Sequence, residues 1–242
     1  MNRQIAIVAI AMAGLLSGTI AQAQRNDDRW VVPKERFTST VKRMAVFELD
    51  VPSRLNGEIR IRQDLTALIT AQLETMGFEV IPVTECEAMW ENICNQVGGL
   101  NDPVTGETID ERVKAARKHF LNELQARYDV DAIVHSGVIG VPAFIPAGKR
   151  AEFCGTAETI HELPNSLKKR PQGPPVAACL LVVVEDVLGV RMYTALHGLQ
   201  IVVRPEGNEW LEIPSAELFT DPALLQEAVA ETIGDLPSRQ AD

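Results

Sequence analysis

The sequence predicts an α/β fold: a single two-layer α/β sandwich with a mixed sheet, an antiparallel C-terminal hairpin and a long Pro-rich insertion. Three observations lead there. From Arg43 onward, short apolar runs of strand length alternate with amphipathic stripes of helical period. The two longest apolar runs, 177–185 and 191–204, are separated only by a short segment holding Asp186 and Gly189, so they form an antiparallel pair. Between them and the preceding strand, residues 141–176 carry Pro142, Pro146, Pro164, Pro171, Pro174 and Pro175, and no periodicity survives.

The elements follow in order. Met1-Asn2-Arg3, an apolar run from Ile5 to Leu16, and small and polar residues ending in Ala21-Gln22-Ala23 form the three-part pattern of a secretory signal. Cleavage is expected after Ala23, and the apolar run is short for a membrane span. Residues 1–23 are therefore read as a cleaved signal peptide, 24–42 as an extended leader and 43–236 as the α/β domain, with 237–242 as a tail. Within the domain, residues 43–50 read as the first buried strand and Asn56-Gly57 as a turn. A helix over 61–76 places Leu65, Leu68, Ile69, Leu73 and Met76 on one face and ends at Gly77. A second strand covers 78–82. Thr84 with Glu87, and Thr108 with Glu111, have capping-box spacing and predict helices over 84–97 and 108–128. Residues 132–139 are nearly all apolar, as in a central strand. Asp221 before Pro222 reads as an N-cap followed by N1, opening a last helix that runs to about Gly234.

Charge and composition exclude several functions. Lys plus Arg total 23 against 33 acids, a formal charge of −10, so the surface repels phosphate and an electrostatic nucleic-acid binder is excluded. Removing the signal segment takes away Arg3 and no acid, which makes the mature chain more acidic still. With 46% hydrophobic residues, the chain carries too much apolar content for disorder. No further run long enough to span a membrane follows the signal segment.

An exported chain meets an oxidising compartment, so Cys86, Cys94, Cys154 and Cys179 are read as a disulfide framework. Cys154 with Cys179 would staple the base of the insertion. The residual pair, Cys86 with Cys94, lies in a helical segment where eight residues rise about 12 Å, too far for a bridge unless the chain folds back. There is no CxxC and no histidine at ligand spacing, so no metal and no cofactor are expected.

No catalytic constellation emerges. Gly140 to Gly148-Lys149 has the wrong glycine spacing for a phosphate loop, and Ser136 lacks the surrounding pattern of a nucleophile elbow. His119 lies off its helix's apolar stripe. His135 and His197 sit in strand patterns. His161 lies in the insertion beside Glu158 and Glu162 and is the candidate acid-base group if the chain is an exported enzyme, of hydrolase type, with a cleft under the 141–176 loop; a small-ligand binding protein is the other alternative. The insertion itself is locally basic: Lys149, Arg150, Lys168, Lys169 and Arg170 outnumber Glu152, Glu158 and Glu162. Those five residues are the expected partner-binding set.

The order of elements resembles the envelope α/β domain shared by the TolB amino-terminal region, CsgG and LpoB. Four stretches carry the resemblance: residues 44–49 as an opening strand; the helix from Leu65 followed by Gly77-Phe78-Glu79-Val80-Ile81; Tyr128-Asp129-Val130-Asp131-Ala132-Ile133-Val134-His135-Ser136-Gly137; and 181–193 as a hairpin with an Asp- and Gly-containing turn. The insertion and its cysteines are not part of that pattern, and no lipidation cysteine follows the signal segment. The resemblance implies a periplasmic, non-catalytic interaction or assembly module that docks an envelope protein or an anionic envelope component, with its oligomeric state open.

Overall fold

The structure is a computed structural model that describes residues 29–52, 55, 59–146, 148–166 and 169–239. The expected signal peptide with its cleavage point, the expected Asn56-Gly57 turn, and Lys168 lie outside the described residues.

A five-stranded mixed sheet forms the centre, in the order β2-β1-β3-β6-β7. Strands β1 (Arg43–Val46), β2 (Glu79–Ile81) and β3 (Ala132–Pro142) run parallel. Strands β6 (Val176–Asp186) and β7 (Arg191–Ile201) continue it antiparallel, joined by the predicted hairpin turn. Between β3 and β6 the insertion contains a small hairpin of its own, β4 (Arg150–Phe153) and β5 (Thr156–Thr159).

The helices cover both faces, so the sheet-and-helix sandwich gains a further layer. On one face lie α1 (Lys34–Thr40), α2 (Ile59–Thr75) and α5 (Pro222–Ile233). They bury Phe37, Leu65, Ile69, Leu73, Leu225 and Val229 against Met44, Val46, Val134, Leu180, Val182 and Val184. On the other face α3 (Val83–Gln96) and α4 (Asp110–Tyr128) bury Trp90, Ile93, Phe120 and Leu124 over Ala45, Phe47 and Ile133. The insertion covers the rest of that face, packing Ala151, Phe153, Ile160 and Leu163 on Ala177, Cys179, Leu181 and Val183. Strand β6 thus sends even-numbered residues to one core and odd-numbered ones to the other. That two-sided burial is why it reads as a continuous apolar run rather than an alternating one.

Three local expectations are corrected. The leader contains α1, whose Phe37 plugs the first core, while Trp30 and Val31 ahead of it pair with the β7 edge. The ring of Trp30 packs edge-on against Phe37 and Tyr193, which outweighs an extended path for the residues between. Neither capping box forms. The N-cap of α3 is Pro82, which places Thr84 inside the helix; the N-cap of α4 is Ile109, and Thr108 Oγ1 instead donates to Asn101 Oδ1 at 3.2 Å, closing the preceding loop. The strand read over 191–204 breaks after Ile201 and turns into a second hairpin, β8 (Val203–Glu206) and β9 (Glu209–Glu212). By contrast, Asp221 caps α5 as predicted, its carboxylate accepting from Ala223 N at 2.9 Å with Pro222 at N1.

The disulfide framework is half of what was expected. Cys154 and Cys179 are bonded, with their Cα atoms 6.4 Å apart. Cys86 and Cys94 are free thiols. Both lie within α3, which does not fold back, so the helical rise keeps them apart. Burial pushes the Cys86 thiol up to about 12, which makes it inert.

Candidate functional site: the stapled insertion

The insertion is a built structure rather than a loose loop. Ala143 N donates to Pro175 O at 2.8 Å, and Phe144 pairs with Glu152 through two backbone hydrogen bonds of 2.9 and 2.7 Å, adding a third segment beside β4. The β4–β5 hairpin turns at Cys154 and Gly155, whose φ angles are 46° and 77°. Two consecutive left-handed residues match the right-handed twist of a hairpin, but a cysteine at the first position is strained. The bond to Cys179 on β6 holds it there. The turn also closes the β7 edge: Gly198 N donates to Cys154 O at 3.1 Å, and Ile201 N donates to Glu158 Oε2 at 2.7 Å. Covering the edge in this way removes a template for unwanted strand pairing.

Gly198 is what lets the hairpin sit so close. A Cβ there would lie 2.6 Å from Phe153 Cε2 and 2.7 Å from Thr156 Cβ. Gly198→Ala is therefore expected to cost about 1–3 kcal/mol by overpacking, read as a lower urea midpoint. A loss below a few tenths would show that the hairpin shifts freely on β7.

The five basic residues have different fates. Arg170 Nη2 donates to Gly148 O at 2.6 Å, and Lys149 and Arg150 follow that glycine in sequence. Arg170 Nε also donates to Pro164 O at 3.0 Å, and Lys149 Nζ donates to His161 O at 2.8 Å. Lys149 and Arg170 thus fasten the insertion's backbone. Arg150 and Lys169 are exposed and make no ion pair among the described residues. Alternation on β4 turns Ala151 and Phe153 inward and Arg150 and Glu152 outward. Phe144, opposite Glu152, shares that outward face and is 67% exposed. Sequence reading missed it. The Arg150-Ala151-Glu152-Phe153 alternation followed by Cys154-Gly155 was the available signal, too short to stand out against the prolines.

The imidazole of His161 is exposed, and Ile160 and Leu163 on either side of it bury into the apolar core under the insertion. Glu158 is half-buried and accepts from Ile201 N; burial raises its pKa above the usual carboxylate range, opposed by that hydrogen bond and by the nearby His161. Under the insertion, Ile160 and Leu163 join Phe153, Cys179 and Leu181 in one apolar cluster.

Two other charged groups lie on the sheet. At the carboxyl end of β1, Glu48 pairs with Arg62 at 3.3 Å, with Asp50 and Glu87 close by; burial raises both of the latter pKa values, opposed by Arg62. On the second face His135 stacks on Phe47, with ring centroids 5.4 Å apart. Its Nε2 lies 3.8 Å from Glu185 Oε2, which Arg117 Nη2 already contacts at 2.7 Å. Burial, with Arg117 adding to it, lowers the His135 pKa to about 4, so the ring is neutral at physiological pH. Ser136 follows His135 on the strand and points to the opposite face, so the two cannot form a nucleophile–base pair. Among the described residues no group of three or more His, Cys, Asp or Glu side chains is placed to hold a metal ion, and no helix is long and apolar enough to cross a membrane.

No protein-family model and no curated protein matches the chain. Solved structures with some likeness include the lipoprotein GNA1162 of Neisseria meningitidis, at 12% identity and a TM-score of 0.32, covering 65% of this chain and 79% of that one. They also include the PelC dodecamer of Paraburkholderia phytofirmans, at 10% identity and a TM-score of 0.36, covering 83% of this chain and 91% of that one. At those scores the likeness is loose and assigns neither a family nor a function.

Proposed function

We propose that the chain is a non-catalytic interaction module of a cell-envelope system, exported to an oxidising compartment, and that it docks an envelope partner through the outward face of its insertion. The observation that carries this reading is the insertion's construction. An exposed aromatic ring and two unpaired basic side chains stand on a scaffold fixed by a disulfide, by the Arg170 and Lys149 clamps and by the β7 edge. A rigid display lowers the ordering cost of binding, which is how a small charged and aromatic patch gains affinity. The signal-like first segment supports export, and a disulfide suits that compartment.

The structure also chooses the variant. Changing Lys168, Lys169 and Arg170 together would break the Arg170 clamp and confuse unfolding with lost contact. The pair Arg150→Glu and Lys169→Glu reverses only exposed heads that make no ion pair among the described residues. That variant is expected to keep the wild-type melting temperature and to capture its partner from envelope extract roughly tenfold less well at low salt. Equal capture by variant and wild type would remove the insertion as the docking surface.

A further inference from the structure

The second hairpin carries the opposite charge to the insertion and stands beside it. In β8–β9, Glu206 and Glu209 are directly opposed across the strands. Both are exposed, and neither makes an ion pair among the described residues. Like charges in that register work against the hairpin. Leu211, 39% exposed, lies two pairs further along, opposite Arg204 and on the same face as the two glutamates. The hairpin is moored to the insertion by Trp210 Nε1, which donates to Gly173 O at 3.1 Å, and by Gln172 N, which donates to Asn208 O at 3.3 Å. Asn208 lies between the two glutamates in sequence, and Gln172 is two residues from Arg170. The acidic tip and the basic island are therefore neighbours, yet no ion pair joins Glu206 or Glu209 to Arg150 or Lys169 within the molecule.

Each patch has the same plan: an exposed apolar residue with unpaired charges around it. Phe144 shares the outward face of β4 with Arg150 and with Glu152 directly opposite it, Lys169 is exposed further along the insertion, and Leu211 shares its face with Glu206 and Glu209. We propose that the occupant of the insertion's outward face is a second copy of this chain, which presents its β8–β9 hairpin. This rests on the reading of the insertion as a docking surface and names what docks there. The acids of one copy pair with the bases of the next, and Phe144 meets Leu211 inside the charged rim, the usual anatomy of a small specific interface. Adjacent patches of opposite sign are self-complementary, so the contact is satisfied twice in a closed pair or once per step in a ring or chain. It also relieves the opposed Glu206 and Glu209, and it counters locally the repulsion expected between chains of formal charge −10.

A charge-swap series tests this by sedimentation of the exported chain at low and high salt. The wild type is expected to show at least twice the monomer mass in low salt and to fall to monomer at high salt. The pair Arg150→Glu and Lys169→Glu, and separately the pair Glu206→Lys and Glu209→Lys, should each be monomeric with unchanged circular dichroism. Mixing the two variants should restore the assembled mass, since each supplies what the other lacks. Phe144→Ser should weaken association roughly tenfold. A wild type that stays monomeric in low salt overturns the proposal. So does an assembly that both variants retain, or a mixture that stays monomeric. Vesicles of phosphatidylglycerol that bind the monomeric wild type but not the Arg150→Glu, Lys169→Glu chain would give the patch to a lipid surface instead. If self-association is absent while envelope capture still depends on Arg150 and Lys169, the second copy falls and the docking surface stands. If capture ignores those residues, the docking surface falls.

Discussion

The chain with Cys154→Ser and Cys179→Ser is expected to lose about 3.5 kcal/mol of stability, seen as a lower urea midpoint than the oxidised wild type. The bond closes a loop of sequence separation 25 and so restricts the unfolded chain. It also holds Cys154 at a positive φ that a free serine would tend to leave. The loss should concentrate in the insertion. Amide exchange at Gly198, whose N–H is bonded to Cys154 O, should quicken more than exchange in the centre of β3. Intact mass should rise on reduction by the hydrogens of one bridge, since Cys86 and Cys94 are already thiols. A loss under 1 kcal/mol with unchanged exchange at Gly198 would show that packing alone holds the hairpin.

Lowering the pH from 6.5 to 4 should cost about 3 kcal/mol through His135 alone, an upper figure for a shift of this size. Burial, aided by Arg117, lowers its pKa from 6.5 to about 4 in the folded state. The unfolded chain then takes up the proton first. The stability due to the neutral ring is complete above 6.5 and is lost as the pH falls through that window. Glu185 does not rescue the imidazolium, because Arg117 already contacts its nearer oxygen. Asp50, Glu87 and Glu158, raised by burial, act in the opposite sense near the acid end, where the folded state binds protons more readily. The contrast with His135→Phe isolates the effect: urea unfolding at pH 7 and pH 4.5 should show a steeper loss for the wild type. Parallel losses would mean that His135 takes up its proton with little resistance from the fold.

The parts of the fold legible in the sequence are those where one local pattern dominates. Leu65, Ile69 and Leu73 repeat at helical spacing and are buried together on α2. Asp221 and Pro222 mark a helix start that needs no tertiary partner. The Asp186 to Gly189 turn forces β6 and β7 antiparallel wherever they pack. The capping boxes failed because spacing is only a permission: Pro82 had already set the backbone ahead of Thr84, and Thr108 found Asn101 nearer than a helix N–H. The candidate site was legible as a segment and as a charge. Its working parts were not, because whether Lys149 points to solvent or to His161 O depends on residues twelve apart in sequence.

By itself the sequence determined the order of the five central strands and of the four helices after Arg43, the mixed sheet, the acidic balance and the position of the insertion, all of which follow from short-range periodicity and composition. Only the tertiary structure decided the rest. It placed the insertion over β6 as a second roof, chose Cys154 with Cys179 and left two thiols in α3, made Arg170 and Lys149 fasteners, and left Phe144, Arg150 and Lys169 displayed. The reason is distance: a contact such as Cys154 to Gly198 or Gly173 to Trp210 joins residues about forty positions apart, and only packing two elements on one sheet brings such groups together.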